Sequence, residues 1–393
     1  MQPHPPQLSW AAAALLALPG TVSASLIVPA YNSAPYSTSV FLDFDGDNTP
    51  TWGTYSPGVS PAYDTDGDAT AFSGAELENI HLIWQGVSEK FSPWRLNVTT
   101  VDPGHISNLS TIKIVIGGAG GWAPPGAGGI AIESSFAIAG FPNVAFVFPD
   151  HLGNGNARYV AEAAAHEAGH SFGLSHQSLY NASQQLVAVY NPGNAERAPI
   201  MGKSYFAQRG TWWNGPTEEG ASVLQDNMYY LGLTGVTLAN NFGYRTDDHG
   251  STHDAADPLS LGADFSLSGQ GIIERMSDAD FFSFSTPGGQ AQLVAEVASF
   301  APMLDLSLGL YDELGNLLVM SATASLGEVI EYDLAAGTYK LGVFSAGVYG
   351  DVGQYFISGS AVPEPSGCAI VLVIVATPVL RRRFAKPQAD KCL

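Results

Sequence analysis

The chain has 393 residues, enough for two or three ordinary domains, and 46% of them are apolar, enough to build real cores. Its 15 Lys and Arg stand against 36 Asp and Glu, a formal charge of −21 that repels nucleic acid and anionic lipid alike, so DNA, RNA and membrane-surface partners are excluded. The only cysteines, Cys368 and Cys392, lie near the C-terminus, so the body of the chain can form no internal disulfide and must rely on core burial and bound ions.

Residues 8 to 18 form an apolar run, followed by Pro19-Gly20 and then Val22-Ser23-Ala24, a small-residue cleavage pattern of the secretory kind. Residues 1–24 are therefore expected to be a signal peptide. A first body follows, residues 25–245, in which the apolar, β-branched stretches 39 to 46, 110 to 118 and 141 to 150 have strand character. Asp43, Asp45 and Asp47 alternate with other residues, as do Asp64, Asp66 and Asp68, the oxygen-rich spacing that Ca2+ prefers, so calcium is a candidate at both stretches against a plain solvated turn. Counting from Asp64, position twelve is Ala75 rather than Glu, which excludes an EF-hand. Ser73 to Glu76 is a capping box, and Leu77, Ile80, Trp84, Val87 and Phe91 behind it fall at helical intervals on one face. The Gly/Pro-rich stretch 117 to 129 reads as a loop.

Residues 166 to 176 read HEAGHSFGLSH. Residues 159 to 171 are Ala-rich and lack Pro, and four residues make slightly more than one helical turn, so His166 and His170 project from one face and can grip one ion. Glu167 follows the first ligand, where its carboxylate can reach water at the metal and act as a base. Gly173 can take positive φ, which lets the helix stop and the chain turn so that His176 reaches the same ion. Three nitrogen ligands with one open position favour Zn2+. By this chain's own residue frequencies, a chance occurrence of the pattern is on the order of 2 in 100,000. The remaining histidines, His4, His81, His105, His151, His249 and His253, show no ligand spacing.

This motif resembles that of the metzincin clan of zinc endopeptidases, over about residues 39 to 235. The resemblance implies a turn bearing a methionine beneath the metal, here Pro199-Ile200-Met201-Gly202, with Met201 an apolar floor and not a ligand. Some members place a tyrosine two residues after this Met; here that position is Lys203, and Tyr205 receives no role. The resemblance further implies that residues 128 to 136 are an edge strand along which an extended protein or peptide substrate pairs its backbone. No cysteine lies between Ala24 and the first strand, so latency through a zinc-capping cysteine is not expected.

Residues 246–360 alternate short apolar runs with Gly-rich turns and show no long helical pattern, an all-β module. The stretches 277 to 284, 304 to 308 and 334 to 339 resemble the bacterial pre-peptidase C-terminal domain, a sandwich attached to secreted peptidases; extracellular polysaccharide is a candidate partner. The expected fold class is thus α+β: an α/β-type metzincin catalytic domain with a mixed, mostly parallel sheet, followed by an all-β sandwich. Residues 361–393 combine Val362-Pro363-Glu364-Pro365, a short apolar run from 368 to 380 and Arg381-Arg382-Arg383. That order resembles the PEP-CTERM sorting signal of bacteria, which implies an exosortase-type processing enzyme as partner and a transient C-terminal membrane segment. The expected protein is an exported zinc endopeptidase of the cell surface, periplasm or extracellular matrix. The competing expectation is a non-catalytic adhesion protein on the same scaffold.

Overall fold

The computed structural model describes residues 26–237 and 239–362, so the expected signal peptide and nearly all of the expected sorting segment lie outside the described residues. In the first body, β1 (Ser39–Asp43), β2 (Asn97–Thr99), β3 (Thr111–Ile116), β4 (Gly129–Ile130) and β5 (Val144–Val147) form one sheet in the order β2-β1-β3-β5-β4. All pairs are parallel except β4 with β5, which leaves β4 as an antiparallel edge. The strands read as unbroken apolar runs because both faces are covered. Val40, Leu42, Ile112, Ile114 and Ile116 pack with the helices, while Val115 and Phe146 pack with Trp52 and Phe148.

Helix α1 (Gly74–Phe91) begins at Ser73, which accepts from the Glu76 amide while the Glu76 carboxylate accepts from the Ser73 amide at 2.7 Å. This reciprocal cap satisfies two otherwise orphaned donors. Ile80, Trp84, Val87 and Phe91 are buried and Leu77 is half-buried, as the stripe requires. Helix α2 (Ala157–Ser171) is capped by Asn156 and packs on α1. A Cβ at Gly86 would lie 2.9 Å from the Ala161 methyl and 3.2 Å from the Phe300 ring, so the two helices meet the second body at a residue with no side chain.

The expected fold class does not hold. The molecule is mostly β, 36% strand against 13% helix, with three α-helices among the described residues and several antiparallel sheets, and residues 25–245 are not an α/β metzincin domain. The reason lies between residues 179 and 226. Leu179–Tyr180 pairs with Leu186–Ala188, β6 (Arg197–Pro199) with β7 (Arg209–Thr211), and β8 (Asn214–Thr217) with β9 (Gly220–Asp226). These ladders are rich in polar residues and glycine and hold by backbone bonds, so a search for apolar runs passes over them. The third helix, α3 (Asn227–Gly232), is short. No helix among the described residues is long and apolar enough to cross a membrane.

The second body is two five-stranded sheets. Asp257–Pro258, β11 (Ala279–Thr286), β16 (Gly337–Ser345), β13 (Leu306–Asp312) and β14 (Leu317–Ser321) form one; Ser260–Leu261, β10 (Ser266–Ile273), β17 (Gly353–Val362), β12 (Gly289–Val297) and β15 (Glu328–Leu334) form the other. Inward residues such as Phe282, Leu293, Leu308, Ile330, Leu341 and Ile357 belong to the same buried cluster as the helices of the first body.

Charged groups join the two bodies. The fully buried Lys90 ammonium meets Glu162 of α2 at 3.1 Å and donates to the carbonyls of Gly210 at 2.7 Å and Ala301 at 2.9 Å, using all three of its donors. Glu162 also takes Arg158 at 3.0 Å and the Ser204 hydroxyl at 2.6 Å. The buried Glu89 carboxylate accepts from the amides of Met303 and Gln354. Arg209 reaches the Met303 carbonyl, Asp351 and Asp305. Removing one member of a buried pair strands the other, at a cost of about 3–5 kcal/mol. Lys90→Met is therefore expected to lower stability by about that amount in urea unfolding while both bodies still melt in one transition. Two transitions with the first unmoved would show that the bodies are independent.

Candidate metal centre

Two ligand positions come from one face of α2 and the third from the turn after it. The helix closes with Gly173 at φ +92°, the Gly173 amide bonded to the His170 carbonyl at 2.8 Å and the Leu174 amide to the Gly169 carbonyl at 3.0 Å. That pairing is a Schellman closure, and it redirects the chain so that His176 comes back over the helix. One ring nitrogen from each of His166, His170 and His176 lies within 4.8 Å of the others, and ring centroids are 4.7, 5.4 and 4.6 Å apart.

The protonation pattern follows from the partners. Nδ1 of His166 faces the Ile200 carbonyl at 2.7 Å, Nδ1 of His170 the Leu174 carbonyl at 2.6 Å, and Nδ1 of His176 the Glu218 carboxylate at 2.8 Å. Carbonyls and carboxylates only accept, so each Nδ1 must carry a proton. In the neutral ring each Nε2 is then a lone pair. The Nε2 atoms of His170 and His176 are 3.0 Å apart, which two lone pairs tolerate only with a cation between them. That cation can be a shared proton or a metal ion; burial, which pushes His166 down to about 4 and His170 well below its ordinary value, favours the neutral rings that a metal ion binds. The donor set therefore fits a soft-to-borderline divalent ion such as zinc.

Glu167 is buried beside the ligands, and burial pushes its carboxyl up to about 8. It packs on Gly129 of β4, where a Cβ would lie 2.6 Å from Oε1. A cavity of about 420 Å3 opens here, lined by His166, Glu167, His176, Tyr190, Lys203 and Tyr205 among others. Of the expected edge strand 128 to 136, only Gly129–Ile130 pairs with β5; the remainder is turn. Met201 is fully buried, its sulfur against Gly169 of α2, and the Ile200 carbonyl before it orients His166. Tyr190, whose ring is 4.4 Å from that of His176, and Glu218 carry no sequence signal.

The two acidic stretches differ from each other. Lys113 lies 3.6 Å from Asp43 and bonds Asp47, so an ammonium already sits among Asp43, Asp45 and Asp47. Asp64, Asp66 and Asp68 accept from backbone amides two or three residues on, and one carboxylate oxygen each of Asp64, Asp66 and Glu76 lie within 4.8 Å of one another, although Glu76 also serves the helix cap. A third cluster escaped the sequence reading. Asp247 converges with Asp248 and Asp280 on one side and with Glu274 and Asp278 on the other. Glu274 is 1% exposed with both carboxylate oxygens unpartnered, and Asp280 is buried with Oδ1 unpartnered, Oδ2 accepting from Tyr355 at 2.6 Å. Burial, reinforced by the neighbouring acids, pushes Glu274 up to about 10.

No protein-family profile matches the chain, and no curated relative matches it. Among solved structures, the chain has a weak neighbour in the pre-peptidase C-terminal domain of a collagenase from Bacillus anthracis, with TM-score 0.22 and 14% identity, covering 27% of this chain and 94% of that one. PliG, a periplasmic inhibitor of g-type lysozyme from Aeromonas hydrophila, gives TM-score 0.21 and 13% identity over 27% and 94%. The Yersinia pseudotuberculosis-derived mitogen gives 0.20 and 13% over 26% and 91%. Likeness at this level carries no conclusion about activity.

A methyl group at Gly169 would lie 2.4 Å from the Met201 sulfur, well inside van der Waals contact distance. Gly169→Ala is expected to displace the floor and weaken zinc binding at least about tenfold, comparable to loss of an outer-shell partner, with helix content retained. Chelator competition alongside circular dichroism reads both; unchanged affinity would mean that Met201 does not support the centre.

Proposed function

We propose that the chain is a zinc-dependent endopeptidase. The observation that carries this reading is the convergence of three imidazoles, each with Nδ1 committed to an acceptor, beside a buried carboxylate that has no other partner in a cavity next to a free strand edge. His166, His170 and His176 would hold the ion, and zinc bound there supplies a Lewis acid that acidifies water and polarises a carbonyl.

Glu167 is the general base. Its place in the cavity beside the three imidazoles would let the carboxylate accept a proton from the attacking water and return it to the departing amine. Gly129 leaves room for that carboxylate, and the outer edge of β4 offers unpaired backbone groups to an extended peptide. The export signal at 1–24, the exosortase-type processing of 361–393 and a surface or matrix location belong to the same proposal and rest on their sequence patterns alone. The metzincin likeness rests on the motif and the Met201 turn.

Calcium remains a proposal at Asp64 and Asp66, and a second one falls on the cluster of Asp247, Asp248, Glu274, Asp278 and Asp280. Five carboxylates with three unpartnered buried oxygens, and no ammonium or guanidinium bonded to them, suit a hard cation that takes 6–8 oxygens. Asp247 and Asp248 lie on the segment entering the second body, so an ion would tie that segment to β10 and β11.

Two outcomes are expected. Glu167→Gln should keep a full equivalent of zinc by metal analysis and lose about 10²–10⁴-fold in cleavage of an unbiased peptide library. Zinc without cleavage in the unaltered chain would instead favour the adhesion reading. Millimolar calcium should raise the melting temperature of the unaltered chain more than that of a Glu274→Gln/Asp280→Asn variant; an equal rise in both would remove the cluster as a site.

A further inference from the structure

Two of the three imidazoles are oriented by carbonyls that the fold provides regardless of side chains: Ile200 for His166 and Leu174 for His170. The third is not. The Nδ1 of His176 has a side-chain carboxylate as its acceptor, Glu218 Oε2 at 2.8 Å, from a residue 42 positions downstream whose side chain is 45% exposed. An exposed glutamate normally stays in water, so its contact with a ligand ring needs a structural cause.

The cause is the β8–β9 hairpin, at whose turn Glu218 sits. This hairpin is bonded to the segment that carries His176 at several points. The Ser178 amide donates to the Pro216 carbonyl at 2.8 Å, and Gln177 bridges Thr217. The Gln177 side chain donates to the Gln225 carbonyl at 2.9 Å, while the Gln225 side chain accepts from the Ser175 amide at 2.9 Å and donates to the Ser175 carbonyl at 3.0 Å. Tyr180 Oη donates to the Thr217 carbonyl at 2.9 Å and lies 3.3 Å from that of Glu218. Residues 175–180 are thus held on both flanks of His176, and the hairpin turn ends where the imidazole needs an acceptor. On another side of the same imidazole, the Tyr190 ring packs at 4.4 Å, tilted by 53°.

We infer that Glu218 is a positioning residue for the metal centre: its carboxylate holds His176 in the Nδ1–H tautomer and fixes the ring so that Nε2 faces the point shared with His166 and His170. The inference rests on the metal reading proposed above and extends it to a residue outside the motif. The physical effect is of two kinds. A fixed ring has less rotational freedom to lose when an ion binds, and an anionic acceptor makes the opposite nitrogen a stronger donor. Neither needs Glu218 to touch substrate, so it is no catalytic residue.

Zinc affinity of the full chain, measured by competition with a chromogenic chelator, is the direct readout. Glu218→Ala should weaken zinc by about 10–100-fold, the usual effect of removing an outer-shell partner, while the metal-free chain melts at the unaltered temperature because the site is at the surface. Glu218→Gln keeps an oxygen that can accept from Nδ1 and should restore affinity to within about threefold of the unaltered chain, since only the anionic part of the effect is lost. Wild-type affinity in Glu218→Ala, or a Gln variant as weak as the Ala variant, would overturn the assignment. If the unaltered chain binds no zinc, the metal reading itself fails; if it binds zinc and cuts nothing, only the peptidase reading fails and the Glu218 measurement still stands.

Discussion

The Lys90 ammonium is the constraint on which the rest of the structure hangs. It is taken wholly out of water, which is tolerable only because each of its three donors has an acceptor, and those acceptors come from three places: helix α2, the β7 strand and the second body. Glu162 is one turn before His166 on α2, so fixing Glu162 also fixes the helical face that presents His166 and His170. Gly86, where α1, α2 and Phe300 close on one another without an intervening side chain, brings the helices near enough for that pairing. The geometry of the three histidines and the attachment of the second body are therefore parts of one packing solution. The β sandwich is a structural wall of the first body.

The metal centre shows how a short motif depends on its surroundings. HEAGHSFGLSH supplies three rings, a bend and, at Leu174, the acceptor that orients His170, but the other two rings are oriented from elsewhere, by Ile200 beyond the helix and by Glu218 on a hairpin. Gly169 plays a similar part in the other direction, since its missing side chain is what admits Met201 beneath the helix.

What the sequence made legible was local. Helix spacing placed His166 and His170 on one face, Gly173 allowed the return of His176, and the capping box at Ser73 and Glu76 marked the start of α1. The errors came from groups brought together over long separations. Alternating aspartates at 43–47 promised an ion site, yet Lys113 arrives from a neighbouring strand and pairs with two of them. The carboxylates that converge from 247 to 280 have no spacing rule because β10 lies between two of their groups. The fold class failed for a related reason: polar hairpins between 179 and 226 earn their place by backbone pairing, which leaves little trace in hydropathy.

The Glu89 carboxylate has a temporal consequence. Its amide partners belong to Met303 and Gln354, close to the far end of the described chain, while Glu89 itself sits beside Lys90 near helix α2. During synthesis, a nascent polypeptide that has not yet released residue 354 from the ribosome holds a carboxylate that cannot be desolvated, so the junction stays open to water. A chain cut short before residue 354 would therefore leave the Glu89 carboxylate without the Gln354 amide, and the seam between helix and sandwich incomplete.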